Sequence, residues 1–401
     1  VNFDLLPQCR YLIGIQMNEL KLAELERKYG KRRAMRMMQE FLEKEFGMSP
    51  AFYTADQSRV GRIENTLGAL QLPLGVVGPV NIRGEFETEC YLPMVTTESC
   101  LVASCQRGAK WFFEADGIAV EVKNLGITRA SVLKCASAAG ARSVAKFLEE
   151  NLEKLKELAE STSAHLHIKE IEIKMDEAYL HIKLTADTEE AMGMNMITIA
   201  MKKILTEFIL SKVPLAVTLI AESSNYCSDK KPSTVVAEHG RGRYVRALGY
   251  IPGWLLKRLG VSVADLQELV KAKFGSGSKL AGSIGVNAHH ANMVAAFYAA
   301  TGQDLAHTVE GSLGITKIEP ERDGVFVTVE LPAVLVGTIG GGTKLPQIQE
   351  LYKMMRIKPG VENSANELAA RLGALVLCGE TSLLIALAKA ELADSHERLR
   401  S

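Results

Sequence analysis

Between residues 130 and 221 the apolar residues switch repeatedly between the 3.6-residue period of a helix and the two-residue period of a strand. The pattern predicts a helix over 140–162, strands over 165–173 and 178–184, a long helix over 189–210 and a strand over 214–221, with one more strand ahead of the first helix. Elements in this order make an α/β plait of about 90 residues inserted in a larger domain. The fold class that follows is α+β: a large α/β domain from 57–129 and 223–401, an inserted small domain over 130–222, and an N-terminal helical part over 1–56. Charged residues with apolar positions at helical spacing, broken at Gly30, predict two helices in that first part.

At 401 residues the chain has material for two or three domains with ample core. Basic and acidic residues balance at 47 each, so the overall charge points to neither nucleic acid nor a membrane surface. The seven cysteines are scattered and never form a Cys-x-x-Cys pair, which fits reduced thiols in a cytoplasmic protein rather than a disulfide frame or a zinc site. The most apolar stretch, 372–387, is interrupted by Glu380, and no uninterrupted apolar run reaches the roughly 18 residues of a membrane span. The opening residues lack a basic segment followed by an apolar core, so no signal peptide is expected.

Several polar stretches carry candidate chemistry. Residues 223–234 read Ser-Ser-Asn-Tyr-Cys-Ser-Asp-Lys-Lys-Pro-Ser-Thr, a loop composition. Its two ammonium groups beside Asp229 can hold an anionic substrate and leave one lysine to polarise a carbonyl, although charge runs more often face water. Glu98 stands near the start of a helix rich in small residues, either as an ordinary first-turn glutamate or as a carboxyl whose acid form burial favours. The small-residue stretch 275–292 packs tightly or lets backbone approach a ligand. The glycine loop 337–343 is neither Gly-x-Gly-x-x-Gly nor a Walker A sequence; its exposed amides hold phosphate or form a flexible turn. His165 and His167 share a strand face without a third ligand, so no metal site is predicted there. His396 sits in a polar tail that is usually inert but is able to fold over a site.

Glu64-Asn65 with Pro79, Thr96-Thr97-Glu98 with 100–104, Ala191-Met192-Gly193-Met194-Asn195, Ser228-Asp229-Lys230-Lys231-Pro232, Ala281-Gly282-Ser283-Ile284-Gly285, Gly302-Gln303-Asp304, 337–343 and Ser395-His396 occur together in that order. In this the chain resembles the 3-hydroxy-3-methylglutaryl-CoA reductases from about Arg62 to His396, and most the class I branch without its membrane anchor, as in archaeal forms. The resemblance implies reduction of the CoA thioester to mevalonate with two NADPH and no metal. It implies a homodimer, or a dimer of dimers, with active sites between subunits. The large domain would hold the thioester, and a ferredoxin-like small domain the cofactor.

By the same resemblance Lys230 is the cation beside the thioester oxygen, Glu98 the proton donor, His396 the group that protonates the departing thiolate, and Asp304 the link joining Glu98 and Lys230 in one network. The substrate positions implied are Arg129, Ser223, Asn225, Asp229, Lys231, Lys273, Asn287 and His289, the last preferred over His290. Those implied for the cofactor are Glu190, Met192, Gly193, Met194, Asn195, Gly340, Gly341 and Gly342. Animal relatives have an aspartate where Glu190 stands, and an arginine for the 2′-phosphate after a Ser-Thr-Ser run that here continues Ala164-His165, so NADH stays open beside NADPH. Two other readings remain at this stage: the same enzyme working oxidatively on mevalonate, and a non-catalytic dinucleotide or thioester binding protein. The joint presence of Glu98, Lys230, Asp304 and His396 argues for the enzyme.

Overall fold

The computed structural model describes residues 22–46 and 63–389. Among these, a first compact unit ends at Leu72 and also takes in Leu345–Gln347, and a second begins at Pro73. In the first, helices α1 (Leu22–Tyr29) and α2 (Lys31–Phe46) are separated at Gly30, whose φ of 77° is left-handed backbone that glycine adopts without steric cost.

The second unit is organised by one long strand. After β1 (Leu74–Arg83), β2 (Thr88–Val95) and α3 (Leu101–Glu114), strand β3 runs from Ile118 to Cys135 and serves two sheets in turn. Its first half lies between β1, in parallel, and β7 (Gly242–Ile251), antiparallel. Its second half lies between β5 (Tyr179–Asp187) and β6 (Val217–Ala221), both antiparallel. The large sheet has the order β2-β1-β3-β7-β9-β8, with β8 at Ile315–Glu321 and β9 at Gly324–Val334. β4 (His167–Asp176) completes the small sheet beside β5.

Helices α4 (Ala138–Glu149) and α5 (Leu152–Glu160) replace the single helix expected over 140–162, with Asn151 as the N-cap of the second. α6 (Met194–Ile204) continues through a π turn, Leu205–Ile209, into α7 (Leu210–Lys212). β5 alternates buried and half-exposed residues, so Leu180, Ile182, Leu184 and Ala186 face a core shared with Val144 and Leu148 of α4, Leu155 of α5 and Ile197 and Met201 of α6. The order from β3 to β6 is therefore strand-helix-helix-strand-strand-helix-strand.

The remaining elements are α8 (Thr234–His239), α9 (Gly253–Leu259), α10 (Val263–Val270), a π turn at Lys271–Gly277, α11 (Ser278–Ala281), α12 (His290–Thr301), α13 (Thr308–Gly311), α14 (Pro346–Met354) and α15 (Ser364–Ala388). α15 packs on α3 and on β3, β7 and β9, and is buried on every side. It is also the one described helix long and apolar enough to cross a membrane, and 94% of its apolar window lies inside the protein. Small residues permit that burial: a Cβ on Gly108 of α3 would come within 2.0 Å of the Cys378 carbonyl oxygen, so the two helix backbones touch there.

Candidate active site

The loop after β6 is fixed at its start, before it reaches its charges. The Ser224 amide donates to the Ala130 carbonyl at 2.7 Å, and the Ser224 hydroxyl accepts from the Tyr226 amide at 3.2 Å, starting a short 3-10 turn, Asn225–Cys227. Ser228 and Lys230 then both take φ of 56°. Left-handed backbone at a non-glycine residue costs on the order of 1 kcal/mol, so something must hold it. The Glu310 carboxylate does so, accepting the Lys230 amide at 3.0 Å. Asp229 and Lys230 are thereby turned into the protein while Lys231 stays exposed.

Glu310 is fully buried and its Oε1 also accepts from Arg241 at 2.8 Å and lies 2.9 Å from His307 Nδ1. Arg241, 1% exposed, spreads its other donors over Asp229 (3.0 Å), the Thr128 hydroxyl (2.8 Å) and the Met194 sulfur (3.1 Å). Arg129 stands 3.8 Å from the other Asp229 oxygen. Asp229, His307 and Glu310 come close enough to hold a cation. Arg241 already donates to both carboxylates and supplies the positive charge there.

At the mouth of this cluster Lys230 Nζ pairs with Asp304 at 2.9 Å. The Asp304 bond holds the ammonium above the ordinary lysine range against the opposing effect of burial. Burial alone would push the Asp304 carboxyl up, but the Lys230 bond, the Ala306 amide and the charge of His307 together hold it below the usual aspartate range. Both shifts favour the ionic pair, which therefore persists throughout the neutral range.

Glu98 is elsewhere. It lies ahead of α3 and is exposed, so the burial expected for it is not found within this chain, and it does not cap the helix. Its carboxylate accepts from Asn292 at 3.1 Å, in the first turn of α12, whereas Asp304 follows the other end of that helix. Twelve helical residues span about 18 Å at 1.5 Å each. The single network expected through Glu98, Asp304 and Lys230 therefore does not close within one chain.

The N-terminal end of α12 rests on Glu380, the charge that interrupts the apolar run of α15. Glu380 is fully buried and accepts the Ala288 amide (2.9 Å), the His289 amide (2.7 Å) and the Thr316 hydroxyl (2.6 Å). His289 keeps a little exposure, its Nε2 3.9 Å from Glu380 without a hydrogen-bond partner, whereas His290 is fully buried with Nε2 on Thr316 at 2.9 Å. Asn287, expected on the substrate, holds the turn before α12: its amide donates to the Ser312 and Gly314 carbonyls and its oxygen accepts the His290 amide.

Burial drops the His290 imidazole to about 4, with Glu380 acting against the shift and His289 with it. A histidine buried neutral must take up a proton to unfold in acid. Its stabilising effect is thus complete above the ordinary value near 6.5 and is lost as pH falls from there toward 4, up to about 3 kcal/mol in all. In His290→Gln, which keeps a group near Nε2, the urea midpoint should fall less steeply between pH 6.5 and 4.5 than in the wild type. An unchanged slope would remove His290 as the cause.

The two segments expected at a cofactor lie side by side. Ala191 bridges to Ile339, the Thr338 amide donates to the Glu190 carbonyl at 2.8 Å, and a Cβ on Gly337 would strike the Met192 nitrogen at 2.4 Å. Gly193, with φ of 93°, caps α6, and Met194 and Asn195 open its first turn. Gly340 and Gly341 have positive φ and nothing within 4 Å of where a Cβ would stand, an open backbone cradle beside a helix N-terminus, with Gly342 behind it against Gly302. Glu190, expected at the cofactor, meets the start of α15: its carboxylate accepts the Asn363 and Ala365 amides at 2.7 and 2.6 Å and the Ser364 hydroxyl at 2.8 Å. His165 and His167 are exposed and share Glu189.

Ser223 and Asn225 are exposed on the loop, and Lys273 is half-buried in the π turn after α10. His396 lies outside the described residues. Sequence reasoning missed Arg241, His307, Glu310, Asn292 and the holding role of Glu380; the sole signal was Glu380, a lone charge in an apolar helix.

The family model for hydroxymethylglutaryl-coenzyme A reductase matches residues 31–401. A 3-hydroxy-3-methylglutaryl-coenzyme A reductase of Methanocaldococcus jannaschii is 39% identical over 95% of this chain and 96% of its own length. That of Methanothermobacter thermautotrophicus is 38% identical over 95% and 96%. In fold, the chain is similar to the class II enzyme of Streptococcus pneumoniae described as bound to NADPH in open conformations, with a TM-score of 0.64 at 19% identity, covering 88% of this chain and 86% of that one. Matched by the family model over residues 31–401 and by relatives 38–39% identical over 95% of its length, the chain belongs to the hydroxymethylglutaryl-coenzyme A reductase family.

Proposed function

We propose that the protein reduces 3-hydroxy-3-methylglutaryl-CoA to mevalonate and free CoA with two NADPH, at sites completed by a second copy of the chain. The observation that carries the second part is the placement of the family's reacting groups at opposite ends of α12. Glu98 at one end and the Lys230–Asp304 pair at the other serve one reaction only if a two-fold partner brings its Lys230 end against the first chain's Glu98 end. The exposure of Glu98 in a single chain fits that assembly, because the partner would then supply the burial that favours its acid form.

The fold supports a division of labour. Residues 130–222 are read as the ferredoxin-like small domain and the flanking parts as the thioester-binding domain, with the N-terminal helices separate; the strand-helix-helix-strand-strand-helix-strand order supports the reading. The open Gly340-Gly341 backbone and the α6 N-terminus fit the pyrophosphate of a dinucleotide. A nicotinamide dinucleotide bound there supplies the two reducing equivalents. Lys230, kept cationic by Asp304, stabilises negative charge as it grows on the thioester oxygen. Arg129 and Lys231 face the free carboxylate of the substrate, with Ser223, Asn225, Asp229, Lys273 and His289 around it. Glu98 donates the proton that completes the alcohol, and His396 the one that keeps the thiolate from returning. The mostly buried α15 supports a chain that works in the cytoplasm.

Consumption of two NADPH for each CoA released, followed at 340 nm with NADH in parallel, tests the reaction; no consumption with either cofactor by folded protein overturns it. Mixing inactive Glu98→Ala and Lys230→Ala proteins tests the shared site. Random exchange of subunits should restore about a quarter of wild-type activity, because half the dimers then carry one intact site of two. No recovery after verified exchange would mean that each chain works alone.

A further inference from the structure

His307 is fully buried on the short 3-10 turn Leu305–His307, between the Lys230–Asp304 pair and Glu310. Its Nδ1 lies 2.9 Å from Glu310 Oε1. That distance requires a proton between the two atoms, and Glu310 Oε1 already accepts from the Arg241 guanidinium and the Lys230 amide, so the ring nitrogen is the donor. Nε2 is then the free end of the ring. It is buried, has no hydrogen-bond partner, and faces Asp304 Oδ2 at 3.6 Å, the same carboxylate oxygen that holds Lys230 at 2.9 Å. A bare Nε2 would turn its lone pair toward a carboxylate, whereas a protonated one completes the row. A movement of about half an ångström brings it within ordinary hydrogen-bond range.

We propose that His307 is a proton-relay and positioning residue that acts through Asp304 to restore the charge of Lys230 between the two reduction steps. The proposal rests on the reading of Lys230 as the cation at the substrate oxygen. After the first hydride transfer Lys230 gives a proton from Nζ to the hemithioacetal oxyanion; the Asp304 carboxylate then accepts the Nε2 proton of the His307 imidazolium and passes it to the neutral amine, leaving the Nδ1–H tautomer on Glu310. When the hemithioacetal collapses to the aldehyde, its hydroxyl proton is handed through His396 to the leaving sulfur, so the first half-reaction consumes the one proton that came from the imidazolium and Glu98 supplies the one for the second. Lys230 and Asp304 are thereby returned to their ionic forms before the second hydride transfer. Asp304, 41% exposed, is the route by which a solvent proton returns to the buried ring. The other charges facing the ring are Asp229, 3.9 Å from Nδ1, and, through Asp229 and Glu310, Arg241 and Arg129.

His307→Asn separates this role from a structural one, because the asparagine amide reaches the position of Nδ1 and keeps the bond to Glu310 while removing Nε2. In that variant kcat should fall about tenfold or more with KM within about twofold, and the acid limb of the kcat profile should move. His307→Gln, which places an amide near Nε2 and cannot relay, should show the same displaced profile even if its thermal midpoint is lower. A kcat within twofold of wild type and an unmoved profile in the asparagine variant would overturn the relay. If the wild type itself fails to oxidise NADPH, the reaction reading has failed separately. The relay is then read from the Asp304 carboxyl titration by carbon NMR, assigned with Asp304→Asn. Removing His307 should raise that carboxyl, because the imidazolium charge now lowers it; an unchanged titration would reject the proposal.

Discussion

Replacing Lys230 with alanine is expected to lower kcat by about 10²–10³-fold, the usual effect of removing a preorganised charge from a developing oxyanion. Its fold should survive. Lys230 and Asp304 are 38% and 41% exposed, so the aspartate left behind is hydrated, and screened pairs of this kind contribute no more than about 1 kcal/mol. The turn does not depend on the ammonium, because the Lys230 backbone amide, not its side chain, holds Glu310. The Asp304 carboxyl should also rise once its main stabilising partner is gone. Steady-state turnover beside a thermal melt checks both parts. A variant that melts like wild type and retains more than about a tenth of its kcat would exclude the polarising role, since one such donor is worth more than that.

Arg241→Met should behave in the opposite way, with stability as the main loss. Arg241 and Glu310 are 1% and 0% exposed, and removing one partner leaves a buried carboxylate without its countercharge, at a cost of about 3–5 kcal/mol. Urea unfolding measures that loss directly. Adding Glu310→Gln to Arg241→Met should recover part of it, because the second change removes the stranded charge, and the double-mutant cycle gives the coupling. A loss below about 1 kcal/mol, or no recovery in the double variant, would mean that the cluster tolerates the unpaired charge. Turnover should suffer as well, since Asp229 loses its 3.0 Å bond and Lys230 sits next to it in the turn.

The predicted strands over 165–173, 178–184 and 214–221 are found as β4, β5 and β6, because half-buried strands write their burial into alternate residues. The same reasoning merged α4 and α5 into one helix, since the break at Glu150-Asn151 carries neither glycine nor proline. It also missed the π turns after α6 and α10: the first, Leu205–Ile209, has the composition of ordinary helix, and the second, Lys271–Gly277, runs into the small-residue stretch that begins at Gly275.

Within the site, Asp229, Lys230 and Asp304 were legible as residue types in motifs, and the structure brings them together. Glu190 and Asn287 sit in equally good motifs, but their polar atoms are spent on the α15 cap and on the turn before α12. No local pattern separates a carboxylate that caps a helix from one that meets a ligand, because the difference lies in which distant amide it finds.

The sequence by itself determined the reading of the family, the periodicity of the strands and the chemistry available in each loop, since all of these are local properties of side-chain type and spacing. Tertiary structure decided the pairing. With 47 basic and 47 acidic residues, nothing along the chain says that Arg241 belongs with Glu310, 69 positions away, or that His307 will sit between two carboxylates. Those choices follow from burial, which removes water as the alternative partner and leaves each charge only the few groups that packing of β7, α12 and α13 brings within reach.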